Sequence, residues 1–490
     1  MPPTGARPPS SRAVLTRAAL AAAMLLPPAL WAHGFDERHD LPAPLSHFMA
    51  GAAAAVALSF ALAIVFARRA PFTKDDPLLG RGEAVRVPAA LHAAIRIGGL
   101  LLFFITVFAA LTGIAEPMMN LAPTMVWIVW WVGLSLVVAC VGDIWPLLDP
   151  WATLFDAADA AARRLWLRDG ISLGWQWPPA LGVWPAVPLL LAWSWLEIVY
   201  PIAAVPHRLG VAALLWTVVT LAGMVCFGRE RWQRHADVFA IYFSLLGRMA
   251  PADWRNGGRS IVRRAPGAGL VTAQQERDLP PGGVAFVLAM LSTVLFDGLH
   301  SSAAWPWFEG RLARLAPYGT VIGENLEGTA GLLLVWLVFL SAYGLTSWIA
   351  ARFARGPSAV SIARSFAPTL VPIAVGYNVA HNFSSLVEQG QNTLYLVSDP
   401  FGWRWNLFGT AQLHTRSGLV DARLTWYVAI SMIVLGHCVG VWLAHRVALR
   451  EHPRPADAVR SALPLVLLML AYTAISLFVI ADPMVQYVPP

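Results

Sequence analysis

The chain has 490 residues, of which 57% are hydrophobic and only 13% charged, and its mean hydropathy is +0.59. Those proportions exclude a soluble globular protein and a disordered one. The net charge of +7 raises the question of a nucleic-acid footprint, which the distribution of the basic residues answers below.

The first residues read as a secretory signal. Arg7, Arg12 and Arg17 precede a short apolar run from Ala18 to Leu30 that exits through Leu30-Trp31-Ala32, the order of a charged n-region, an h-region and a small-residue cleavage site. Cleavage after Ala32 makes His33 the mature N-terminus, and an uncleaved signal anchor is the alternative. The expected organisation is a signal peptide over 1–32 followed by a single polytopic membrane domain over 33–490.

About twenty mostly apolar residues cross a bilayer core of roughly 30 Å. Such stretches recur at 46–67, 90–115, 121–143, 178–200, 209–227, 282–300, 326–351, 365–387, 424–445 and 462–481. The fold class is therefore an all-α helical membrane bundle of about ten spans. With the mature N-terminus outside, the inner loops, including the long cytoplasmic loop 228–281, carry 24 Lys and Arg, while the outer segments carry 7. By the positive-inside rule this asymmetry places both termini in the periplasm of a bacterial inner membrane. The basic excess is topological, and no nucleic-acid partner is expected.

Two segments between spans have an amphipathic rhythm, Trp145 to Leu167 and Trp232 to Met249, and both are expected along the inner surface. The Trp residues, 23 in all, read as interfacial anchors at span ends. Cys140, Cys226 and Cys438 lie inside spans and read as small packing residues.

Ionisable residues inside spans are costly and point to function. Asp297 and His300 lie one turn apart at the outer end of the sixth span, and Asn378 and His381 repeat that spacing in the eighth, with Asn382 following and Glu388 two turns further out. His437 is near the middle of the ninth span, and His445 is about 12 Å further along the axis, too far to share one ion with it. Asp297, His300 and His381, joined by His437, form an outward-facing set of imidazole and carboxylate groups suited to zinc, manganese or iron, and His33 is on the correct side to chelate. The competing reading of each group is an interhelical hydrogen bond. Glu197 reads as a solvated or hydrogen-bonded structural group at a span end, and Asp143 and Asp149 read as caps.

The periplasmic loop 388–423 holds Ser398-Asp399-Pro400-Phe401-Gly402, a turn signal, then Trp403-Arg404-Trp405-Asn406 and His414. Glu388, Asp399 and Trp403 are candidates for a lid over the outer pocket, against the alternative of a packed loop.

Several motifs, taken together, resemble the fenitrothion hydrolase family of bacterial polytopic membrane proteins. They are Ala32-His33-Gly34, Asn120-Leu-Ala-Pro-Thr-Met-Val-Trp127, Trp145-Pro-Leu-Leu-Asp-Pro-Trp151, Trp195-Leu-Glu-Ile-Val-Tyr-Pro201, Phe296-Asp-Gly-Leu299, Ser398-Asp-Pro-Phe-Gly402, Gly436-His437 and Leu443-Ala-His445. The resemblance runs from about residue 32 to residue 450. It implies an inner-membrane organophosphorus hydrolase acting on aryl phosphorothioate triesters, an apolar small-molecule substrate, and metal-activated water at Asp297, His300 and His381 with His437 as proton relay. Two further classes stay open: a redox or assembly protein with haem or copper on His381 and His437, working with a membrane or periplasmic partner subunit, and a proton- or metal-coupled transporter.

Overall fold

The computed structural model describes residues 37–39, 44–66, 84–165, 169–271, 279–302, 304–312, 321–354, 357–416, 418–452, 454–481 and 485–487. The expected signal peptide and His33 lie outside the described residues. Strand β1 (Glu37–His39) pairs antiparallel with the last strand, Val485–Tyr487, in a small unit of its own.

The remainder is an all-α bundle. In chain order it comprises α1 (Leu45–Phe66), β2 (Val85–Arg86), α2 (Ala89–Thr112), α3 (Leu121–Val141), α4 (Pro150–Leu165), α5 (Ala186–Ile198), α6 (Pro206–Phe227), α7 (Arg229–His235) and α8 (Val238–Gly247). A hairpin of β3 (Ala252–Arg255) and β4 (Ser260–Arg263) comes next, with β2 on its edge. Then follow α9 (Gly283–His300), α10 (Trp305–Leu312), α11 (Val321–Ala354), α12 (Ala359–Phe366), α13 (Val371–Gly390), α14 (Asn392–Leu396), α15 (Ala422–Glu451) and α16 (Pro455–Ala481).

Among the described residues nine helical segments are long and apolar enough to cross a membrane, one fewer than the ten expected. The difference lies at 178–200. Pro178, Pro179 and Pro185 withhold backbone donors and Gly182 turns the chain at φ +46°, so only α5, 13 residues long, winds as a helix there. At about 1.5 Å per residue it spans about 20 Å, short of a full crossing. A span over 359–396 is continuous in direction but composite, since Pro368 tightens residues 367–370 into a 3₁₀ turn between α12 and α13.

Within α3, residues Thr124–Leu134 wind as a π-helix, a rare geometry that often accompanies functional sites. Its start is fixed by Asn120, which is fully buried. The Asn120 amide donates to the Ala109 and Ile114 carbonyls at 2.8 and 2.9 Å, and its oxygen accepts from the Ala122 amide at 3.0 Å.

Of the segment 232–249, expected along the inner surface, residues 232–235 at the end of α7 are not buried, whereas α8 enters the core. Helix α8 is almost wholly buried, with Val238, Phe239, Phe243 and Leu246 at 2% exposure or less. Its aromatic face meets Trp130, Trp151, Trp193 and Trp216, with Trp130 and Phe239 centroids 4.5 Å apart and Trp151 stacked on Phe239 at 6.0 Å. Trp131, Trp145, Trp151, Trp193, Trp305 and Trp426 are likewise buried, so these six are core residues and not interfacial anchors. Edge-to-face and stacked pairs of this kind contribute beyond their area.

Helices in lipid gain no hydrophobic advantage from meeting one another, so close backbone approach has to supply the dispersion energy. Helices α13 and α15 cross on glycine. A Cβ on Gly376 would stand 2.4 Å from the Met432 carbonyl oxygen, and one on Gly436 2.6 Å from that of Pro372.

Asp237 caps α8. Its Oδ1 accepts from the Ala240 amide at 3.0 Å, and its buried Oδ2 has no hydrogen-bond partner. Burial, and then the charge of Asp149, push this carboxyl up to about 7. An unfolded Asp titrates near about 3.9, so between roughly pH 4 and 7 the folded chain holds a proton that the unfolded chain has lost, and stability declines as pH rises through that window. Thermal unfolding of the detergent-purified protein is expected to show this decline, and Asp237→Asn, which keeps the capping oxygen without the charge, to make it shallower, the remainder belonging to Asp143 and Asp149, whose carboxyls burial also raises. Equal pH slopes for the two proteins would contradict the assignment. In the same assay Asn120→Ala is expected to destabilise by about 1–2 kcal/mol, since it removes the cap on the Ala122 amide and the hydrogen bonds to the Ala109 and Ile114 carbonyls.

Candidate functional site

Helix α9 is apolar and buried over most of its length and carries its ionisable residues only at the C-terminal end, Asp297-Gly298-Leu299-His300. Gly298 is the point of approach to α13 and α16. A Cβ there would lie 2.8 Å from Val479 Cγ1, 2.9 Å from Tyr377 Oη and 3.9 Å from His381 Nδ1. With no side chain in the way, Asp297 Oδ2 comes within 2.7 Å of His381 Nε2, the two side chains being 31% and 23% exposed. The contact joins two membrane helices and leaves His381 Nδ1 as the nitrogen that can take a proton.

From this pair a succession of aromatic rings leads into the bundle. Tyr377, one turn before His381 on α13, lies nearly parallel to it at 6.4 Å, and Tyr472 of α16 stands 6.5 Å beyond Tyr377. Tyr472 in turn packs on His437 of α15 at 5.7 Å. His437 donates from Nδ1 to the Ile433 carbonyl at 2.8 Å, which puts the lone pair on Nε2. That nitrogen, Tyr377 Oη and Ser476 Oγ are all buried without a hydrogen-bond partner, a concentration that is uncommon in a packed interior.

On the opposite side Glu197, at the C-terminal end of α5, accepts a hydrogen bond at 2.9 Å from the indole of Trp131 in the π-helical stretch. It is close enough to Asp297 for the two charges to interact. His300 packs its ring on Phe296 and Trp305, at 5.6 and 5.0 Å.

The four-residue set expected from the sequence is thus only partly assembled. Asp297 and His381 meet directly. His300 packs among aromatics, and His437 is bonded to its own helix and reaches the pair only through two tyrosines. Among the described residues no three His, Cys, Asp or Glu side chains gather so as to hold a metal ion, and His33 lies outside them. Asp297 and His381 each spend one atom on the other, which leaves His381 Nδ1 and Asp297 Oδ1, fewer side-chain donors than the three that zinc, manganese or iron usually takes. For haem or copper the nitrogens left open are His381 Nδ1 and His437 Nε2, since Asp297 and the Ile433 carbonyl engage the other two. His445 is buried on α15 with its ring edge-on to Phe60.

The lid residues serve the loop itself. Glu388 Oε1 accepts from the Gly418 amide at 3.3 Å. Asp399 accepts from the amides of Trp403 and Arg404 at 2.8 and 2.7 Å, the turn that Ser-Asp-Pro-x-Gly signals. Trp403 packs on Phe401 and, edge-on, on Phe108 near the end of α2, so the aromatic run closes against α2. His414 is exposed. Tyr377 and Tyr472 escaped the sequence reading because an intramembrane tyrosine is ordinarily a packing residue. The spacing of Tyr377 one turn from His381 was the available signal for the first.

A double-mutant cycle with Asp297→Asn and His381→Gln is expected to return a coupling of about 0.6–1.7 kcal/mol in thermal unfolding, the range for hydrogen bonds between membrane helices. Strict additivity would mean that the pair does not form. No family model, curated protein or solved structure matches this chain.

Proposed function

We propose that this polytopic membrane protein hydrolyses neutral, apolar esters at an outward-facing site, with organophosphorus triesters of the fenitrothion type as the substrate class. The observation that carries the reading is the 2.7 Å contact between Asp297 and His381. A carboxylate bound to one imidazole nitrogen holds the ring in place and stabilises the imidazolium, while the other nitrogen acts as general base. In this scheme His381 Nδ1 takes a proton from water as the oxygen attacks phosphorus. The P–O bond to the aryl group breaks, and the aryl oxide leaves with the bonding pair. The products are a dialkyl thiophosphate and a nitrophenol, and the proton returns to solvent from His381. A triester carries no charge, so it can reach the site from the lipid phase.

Release of nitrophenolate from a dimethyl aryl phosphorothioate by the detergent-purified chain tests this. Asp297→Asn and His381→Gln are each expected to lower kcat by about 10²–10⁴-fold with KM little changed, while His445→Ala keeps most of the activity. No release above the buffer rate by the wild-type protein would remove the reading.

A second reading, proton-coupled transport, is favoured by the buried and unpartnered Tyr377 Oη, His437 Nε2 and Ser476 Oγ, which continue from the Asp297–His381 pair toward the interior. Proton uptake by proteoliposomes that is lost in His437→Ala, with no esterase activity in either protein, would put that reading first.

A further inference from the structure

The loop between α14 and α15 carries large apolar side chains on its surface and is nevertheless fixed in place. Trp403, Trp405, Leu407 and Phe408 are 41–71% exposed. Ser398 closes the loop: its Oγ accepts from the Phe408 and Thr410 amides at 3.1 and 3.2 Å, and its carbonyl accepts from the Leu407 amide at 3.1 Å. Asp399 holds the Trp403 and Arg404 amides. The loop is also bonded to the chain just beyond α2. There the Phe401 carbonyl accepts from the Ile114 amide at 2.9 Å, and the Pro400 carbonyl from the Leu121 amide at 3.1 Å. Backbone ties of this number hold the four side chains outward, and a contiguous apolar exposure marks a contact surface.

What it contacts follows from where it sits on α2. That helix exposes Leu101, Phe104, Ile105 and Phe108, each 41–55% accessible, at the i, i+3, i+4, i+7 spacing of a single face. Its 24 residues cover about 36 Å at about 1.5 Å per residue, enough for a hydrocarbon core of about 30 Å, so this apolar face meets lipid. Phe108 is the last member of the face, four residues before the helix ends at Thr112. The loop packs on that residue, with the Phe401 and Trp403 rings edge-on to it at 5.3 and 6.2 Å. Trp405 extends the cluster, 5.3 Å from Phe401 and 5.4 Å from Trp403. Four residues are about 6 Å of helix, so these rings stand level with the last turn of α2 and not beyond it. The lipid-facing surface of α2 therefore continues onto the loop. Arg404 and Asn406 alternate with the exposed apolar residues, a mixture of aromatic bodies and polar heads that suits the boundary between hydrocarbon and water.

We propose that residues 403–408 lie in the interfacial layer of the bilayer, with Trp403, Trp405, Leu407 and Phe408 in contact with lipid and extending the lipid contact of α2. The partner is the bilayer and not a second protein, because the exposed surface is continuous with one that lipid already covers. In this role Trp403 anchors the loop in the membrane surface in place of closing a pocket. The inference does not depend on the hydrolase reading.

Spin labelling of the full chain in phosphatidylcholine vesicles tests it. In a background of Cys140→Ala, Cys226→Ala and Cys438→Ala, a nitroxide is attached at Phe408→Cys, and its collisions are measured with oxygen, which concentrates in lipid, and with a water-soluble nickel chelate. Oxygen collisions are expected to exceed nickel collisions, as they should at Leu101→Cys on the lipid-facing side of α2. Leu407→Cys gives the same measurement should Phe408→Cys fail to fold. A label dominated by nickel collisions would place the loop in water. Weak collisions with both reagents would mean that protein covers it, as in a contact with a second copy of the chain. Either result would overturn the proposal.

Discussion

The crossing of α13 on α15 at Gly376 and Gly436 is the constraint on which the rest of the bundle depends. Lipid is as apolar as a leucine side chain, so nothing drives these helices together except contact between atoms. Glycine permits that contact to be backbone on backbone, and any Cβ at either position would meet a carbonyl oxygen at less than 3 Å. Once α13 is seated, Tyr377 and His381 point toward α9 and α16. Gly298 then repeats the device, letting α9 approach until Asp297 reaches His381.

Polar groups in such a setting either satisfy each other or stand out. Asp297 and His381 satisfy each other, Glu197 takes the Trp131 indole, and Asn120 closes three backbone groups at the start of the π-helical stretch. Other buried atoms among the described residues have no partner, Asn378 Oδ1 and Asp237 Oδ2 among them, and Tyr377 Oη, His437 Nε2 and Ser476 Oγ are three that stand on α13, α15 and α16. A buried orphan costs about 1–3 kcal/mol, and these three stand on or beside the helices that carry the Asp297–His381 contact.

A different economy governs the aromatic half. Tryptophans that in most membrane proteins sit at the interface here enclose the short buried helix α8, whose cap is a carboxyl raised by burial. The same aromatic surface lines a cavity of about 990 Å³, so the core of one part of the bundle is also the wall of a recess. The shortness of α5 contributes to this recess, because its prolines and Gly182 end the helix before it can cover the full depth.

The all-α membrane class, six of the nine long helices to within three residues, the cap at Asp399 and the presence of Asp297 and His381 as ionisable groups on apolar helices were all legible in the sequence. Hydropathy and turn chemistry act over a few neighbours, and an ionisable group in hydrocarbon announces itself. The partner of each group was not legible. Asp297 and His381 are 84 residues apart, and only the glycine contacts decide that they meet directly while His300 turns to Trp305 and His437 stays behind two tyrosines. Similarly, the composition of 232–249 is that of a surface helix as much as of a core one. The tryptophans converging from four other helices decide for the core, and that convergence is a property of the assembled fold.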